Sequence, residues 1–187
     1  MGAEAIAWLS PLGCDDYAEY RDGSFLRVLG LEHLAGELRD FWPARGPQWD
    51  ALGRTDAGHV LLVEAKAHIG EFCSPPSQAS DASLRQICDA LAHTARAMGV
   101  SAESAAGWHR HFYQYTNRLA HLRWLREQAV DAKLVFVNFI HDDDMPGETT
   151  QAAWEAARRV ADHVLGIGRR HLLSRHVIHV FPDVRGK

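Results

Sequence analysis

The run Val60-Leu61-Leu62-Val63-Glu64-Ala65-Lys66 constrains the fold of this chain more than any other stretch. Its unbroken apolar start, β-branched at both ends, suits a strand covered on both faces, because a half-exposed strand would alternate with polar residues. Side chains alternate across a strand, so Glu64, Lys66 and His68 point one way and Val63, Ala65 and Ala67 the other. A second run, Gln48 to Arg54, precedes it across Thr55-Asp56-Ala57-Gly58, where the glycine can take a positive φ, and the two runs read as a β-hairpin. With a loop of residues 56–58 centred on Ala57, Asp50 lies as far before the centre as Glu64 lies after it. The two carboxylates become cross-strand partners.

Around this hairpin the spacing predicts an α/β domain with a mixed sheet. Leu31, Leu34, Leu38 and Phe41 recur at helical spacing until Pro43, while Phe25 to Leu29 reads as a short strand. Ser80 to Met98 is a helix, capped by Ser80 or Asp81 and stopped by Gly99, and a second long helix runs from about Trp108 to Ala129. Leu134 to Ile140 is a further buried strand, ended by the acidic turn His141 to Gly147. Thr149 or Thr150 then caps a helix running to about Leu165, and a last strand covers His176 to Phe181.

At 187 residues and 47% hydrophobic content the chain has the size of one domain, spanning 1–187, that buries a core without staples. No apolar stretch is long enough to cross a bilayer, and the start, with Glu4 and no early basic residue, lacks a secretory pattern, so a cytoplasmic location is expected. Cys14, Cys73 and Cys88 are odd in number and lack CxxC spacing, which suggests small buried hydrophobes rather than a disulfide or zinc framework. A net charge of -4 excludes a protein that coats nucleic acid by charge alone, but not one that meets it through local arginines. Oligomeric state stays open, a homo-oligomer included.

Two facing carboxylates repel, and more strongly where little water reaches them. A divalent cation offsets this, since Mg²⁺ or Mn²⁺ accepts hard oxygen ligands and completes its shell with water and substrate phosphate. Lys66, on the same face, adds a positive charge. Such a trio suits phosphodiester hydrolysis, in which the metal lowers the pKa of a bound water and the ammonium orients that water or the phosphate. The alternative is a strand that leaves the core at Glu64, with Glu64 and Lys66 merely solvated.

Gln48-Trp49-Asp50, followed after a short gap by Leu61-Leu62-Val63-Glu64-Ala65-Lys66, resembles the motif of the PD-(D/E)XK nuclease superfamily. The resemblance implies a restriction endonuclease-like three-layer core, αβββαβ, with a mixed central sheet flanked by helices and here an extra helix inserted after the active-site hairpin. It implies catalytic roles for Asp50, Glu64 and Lys66, with Mg²⁺ or Mn²⁺ held by Asp50 and Glu64 and nucleic acid as substrate. A further acid often lies on the helix before the hairpin, for which Glu37 is the candidate, with Glu32 second. Gln48, on the Asp50 face, is a candidate for substrate contact, or an ordinary edge residue. Departures are Trp49 where the motif has proline, two helices where it has one before the next strand, and an indistinct first core strand. The same residues allow a non-catalytic domain of this fold that serves as a binding or scaffold module.

On the second long helix, Gln114, Asn117, Arg118 and His121 share one face, read either as the solvated side of an amphipathic helix or as a nucleic-acid groove contributing Gln114, Asn117 and Arg118. His141-Asp142-Asp143-Asp144 lacks EF-hand spacing and reads as an acidic strand-ending turn. No phosphate loop, serine-hydrolase elbow or HExxH helix occurs.

Overall fold

The Val60–Lys66 run is the middle strand of a five-stranded sheet in the computed structural model, which describes residues 4–144, 147 and 149–186. The strands are β1 (Ile6–Ser10), β2 (Ala51–Thr55), β3 (Val60–Lys66), β4 (Ala132–Asn138) and β5 (Val177–Val180), and they lie side by side in chain order. β1, β2 and β3 pair antiparallel, whereas β4 and β5 run parallel to β3. Parallel neighbours need crossovers, and helices supply them. The helices are α1 (Asp22–Val28) and α2 (Ala35–Phe41) between β1 and β2, α3 (Ile69–Phe72), α4 (Asp81–Ala97), α5 (Ala102–Ala105) and α6 (Tyr113–Glu127) between β3 and β4, and α7 (Gln151–Val164) before β5. The architecture is α/β, a mixed sheet flanked by helices.

The hairpin register is symmetric about Ala57, from Ala51↔Val63 to Arg54↔Val60, and Gly58 turns the chain at φ +87°. Across β3 and β4 the pairs Leu62↔Leu134, Glu64↔Phe136 and Lys66↔Asn138 set one sheet face. On that face Leu52, Val60, Leu62, Leu134 and Phe136 join one contiguous core with Phe25, Leu26 and Leu29 of the α1 region, Leu91 of α4, Leu119, Leu122 and Leu125 of α6, and Trp154 of α7. Leu61 and Val63 point to the other face and are buried too, as a central strand covered on both sides requires. That second face is more open towards its edges, where Ile6, Trp8, Ile178 and Val180 are exposed. Gly53 sits under Ile6 and Trp8, and a Cβ there would meet both at 3.2 Å.

Several expectations need correction. Phe25 to Leu29 lies in and just after helix α1, because Phe25, Leu26 and Leu29 fall on one helical stripe that faces the core. The first strand is instead β1, at the sheet edge. The second long helix starts at Tyr113, not Trp108, because Phe112 takes a left-handed conformation (φ 50°) and the stretch before it turns. Trp108 still anchors the core, donating its indole N–H to the Leu165 carbonyl. The cysteines are not buried: Cys14 and Cys73 are exposed and Cys88 is intermediate, because Cys14 lies in a one-turn 3-10 segment, Cys73 just past the end of α3 and Cys88 on the flank of α4. Met145 and Pro146 of the expected acidic turn lie outside the described residues. Within the described residues no helix is long and apolar enough to cross a membrane.

Candidate functional site

Asp50, Glu64 and Lys66 meet at the end of the hairpin nearest the α2–β2 loop, on the sheet face against which α6 packs. Asp50 falls one residue outside the β2 ladder, so it is a flanking residue rather than a regular cross-strand partner. Its N–H donates to the Val63 carbonyl at 3.2 Å, and its Oδ2 accepts the Ala65 N–H at 2.6 Å. The aspartate thus takes the place of a ladder carbonyl and is fixed against β3. Burial raises its pKa above the usual carboxylate value and the charge of Glu64 adds to this, against the Ala65 N–H, Lys66 and Arg118.

Glu64 is 3% exposed, which rules out the solvated alternative. Its Oε1 lies 2.6 Å from Lys66 Nζ, and its Oε2 accepts from Arg118 Nε at 2.6 Å with Nη2 at 2.5 Å. Arg118 also donates to the Gln48 carbonyl and the Asn117 side-chain oxygen, and its guanidinium lies over Trp49, 4.9 Å from the ring centroid. Each of the three guanidinium nitrogens thereby has a partner, as a buried guanidinium requires. The site holds two carboxylates against two cations, and the low-polarity surroundings make each pairing count.

The expectation of a solvated α6 face is corrected: Asn117, Arg118 and His121 are buried, because this side of α6 packs onto the hairpin and α2. His121 sits among Phe41, Trp42 and Trp49 and holds a contact of 2.9 Å from Nδ1 to the Asn117 carbonyl. The four proposed substrate-contact residues come together: Gln48, Gln114, Asn117 and Arg118 line one cleft of about 270 Å³, with Arg45 and Tyr113 on its walls. The Gln48 side chain is exposed and donates to Glu19 at 3.0 Å. Arg118 therefore links this cleft to Glu64.

Glu37 is not brought to the pair. Leu34, Leu38 and Trp42 occupy the core-facing stripe of its segment, which leaves Glu37 exposed on α2, and Glu32 is exposed as well. Asp50 and Glu64 are the acids positioned to hold a cation, and among the described residues no group of three His, Cys, Asp or Glu converges. Two hard carboxylates meet the protein share of a Mg²⁺ shell, with water and phosphate supplying the rest, provided the ion displaces the present partners of Glu64.

One neighbour was missed from sequence, and the role of another was misassigned. Asn138, paired with Lys66 across β3 and β4 and 4% exposed, was signalled as the lone polar residue of the apolar run from Leu134 to Ile140. Arg118 was singled out, but not as the partner of Glu64. No protein-family model matches the chain, and no curated protein or solved structure matches it either.

Proposed function

We propose that this protein is a metal-dependent phosphodiesterase acting on nucleic acid, of the PD-(D/E)XK type and with a restriction endonuclease-like core. The observation that carries the reading is the convergence of Asp50, Glu64 and Lys66 at one hairpin end, with Arg118 joining that end to a polar cleft. The sheet order and the parallel β3–β4 crossover favour this core, while the position of β1 before α1 and α2, rather than after them, departs from the αβββαβ order. Asp50 and Glu64 would hold Mg²⁺ or Mn²⁺. When bound, the ion acidifies a water and neutralises charge on the phosphoryl oxygens.

The chain's own residues do the remainder. The raised pKa of Asp50 means that its metal-free carboxyl retains a proton more readily, so a cation competes with that proton and binds better as pH rises. Lys66, held by Glu64, keeps an ammonium beside the carboxylates, where it can orient a water or the scissile phosphate. Gln48, Gln114, Asn117 and Arg45 offer polar contacts for a strand in the cleft.

The test is cleavage of labelled single- and double-stranded DNA and RNA with millimolar Mg²⁺ or Mn²⁺. Wild type should cleave, and Asp50→Ala and Lys66→Ala should each lose at least about a hundredfold in rate while keeping the wild-type circular dichroism spectrum. Cleavage that survives Asp50→Ala in a folded variant rejects the mechanism.

A second reading, a non-catalytic binding module of the same fold, is favoured by one specific observation: Lys66 and Arg118 already neutralise Glu64 without a metal. Thermal denaturation with added Mn²⁺ separates the two readings. A melting temperature raised in wild type but not in Asp50→Ala favours the metalloenzyme, by mass action on the folded state, and no rise in either favours the module.

A further inference from the structure

A cavity of about 620 Å³ lies away from Glu64, between α7, the segment that follows it, and β5. Three guanidiniums line it, Arg158, Arg159 and Arg169, in a chain whose net charge is -4. Two acids line it as well, but both are engaged. Asp162 accepts from the Tyr115 hydroxyl and from Arg158, each at 3.2 Å, and Glu155 accepts from the Gln151 amide at 2.9 Å. Arg159 and Arg169 have no hydrogen bond or ion pair among the described residues, and both are exposed, ready to turn towards an incoming anion.

Two of the three histidines that line the cavity, His171 and His179, carry their ring proton on Nε2. His171 accepts the Leu173 N–H on Nδ1 at 3.2 Å, which puts the ring proton of the neutral form on Nε2. His179 stacks on Phe136, and its Nδ1 lies 3.4 Å from the Asn138 amide nitrogen, a donor, so its proton also sits on Nε2. That Nε2 is buried and has no partner among the described residues.

Two unpaired guanidiniums together with the ring N–H of His171 call for an anion with several acceptor oxygens. Guanidinium forks match the geometry of phosphate, which offers more acceptors than a carboxylate. The cavity far exceeds an inorganic ion and falls in the range of about 300–1,000 Å³ typical of small-molecule sites. We propose that the α7–β5 cavity is a second anion site that takes the phosphate of a nucleotide, either free or at the end of or within a strand, held by Arg159 and Arg169 with the Nε2–H of His171. This proposal does not depend on phosphodiester hydrolysis at Glu64.

The experiment measures binding of 5′-AMP by calorimetry and of a fluorescein-labelled oligonucleotide by anisotropy, in metal-free buffer where no cleavage occurs. The double variant Arg159→Glu/Arg169→Glu should weaken binding at least about tenfold, since each charge-assisted contact is replaced by repulsion. The charge-matched control Arg27→Glu/Arg39→Glu, on exposed parts of α1 and α2, should bind like wild type. Loss of AMP binding assigns the source to a free nucleotide. Loss confined to the oligonucleotide assigns it to a strand. The proposal is overturned if neither ligand binds at millimolar concentration, if the cavity variant binds like wild type, or if the control loses as much as the cavity variant. The binding is read in metal-free buffer with no cleavage step, so a failure here is separate from a failure of the hydrolytic site.

Discussion

Glu64 enters the interior only because cations go with it. Lys66 reaches it from the same strand, and Arg118 reaches it from α6, 54 residues further along the chain. Removing one partner of such a buried pair leaves an uncompensated charge, which costs more than the pair itself contributes. Arg118→Met should therefore lower the unfolding free energy by about 3 kcal/mol in metal-free buffer, at the low end of the usual penalty because Lys66 remains. Glu64→Gln should also destabilise, by leaving the guanidinium without its anion, and the double variant should lose less than the sum of the singles. Urea denaturation measures all three, and strict additivity would mean that the two side chains do not act as a unit.

Elements place these residues through their ends as much as through their faces. Thr150 caps α7 by accepting the Ala153 N–H at 3.3 Å, and α7 in turn carries Trp154 into the core and Arg158 and Asp162 to the second cavity. Thr150→Ala should cost about 1 kcal/mol, and Thr150→Ser should recover most of it, because a hydroxyl rather than a particular bulk satisfies the helix start. Chemical denaturation of both variants checks this, and equal losses would show that the methyl group matters instead. The broken start of α6 has a different cause. Phe112 in the left-handed region lets Gln114 donate its N–H to Ser74 Oγ at 2.9 Å, which ties the helix to the segment after α3.

Over the whole molecule, the buried histidines set how stability responds to acid. Burial pushes the pKa of His121 down to about 3, and burial with Arg158 nearby pushes that of His179 down to about 4. Unfolded, each takes up a proton near the ordinary value of 6.5, so between 6.5 and the depressed folded values the unfolded state binds more protons than the native one. The stability they allow is complete above pH 6.5 and is lost as pH falls towards 4. Asp50 and Asp162, whose pKa values are raised chiefly by burial, act in the opposite sense and favour the fold as they protonate. Thermal melts across this window should show a lower melting temperature at the acid end, and the slope should shrink in His179→Gln. An unchanged slope in that variant would remove His179 from the account.

The sequence alone carried whatever depends on near neighbours. The apolar run of β3, the loop centre at Ala57, the caps and stop of α4 and the Thr150 start of α7 were all legible, because strand alternation, turns and caps are set within a few residues. The edge strand β1 was not, since Ile6 and Trp8 are exposed and leave no alternating pattern to read. Phe25 to Leu29 was misread because a run that short fits a strand or one helical stripe equally well. For the site, spacing brought Asp50, Glu64 and Lys66 to one hairpin end. Only the tertiary structure decided that Glu37 stays outside, that Arg118 is bound to Glu64 instead of facing solvent, and that three arginines share a cavity with His179. Those outcomes depend on how α2, α6 and α7 dock on the sheet, and docking is settled by the summed burial of residues far apart in the chain, which no local pattern records.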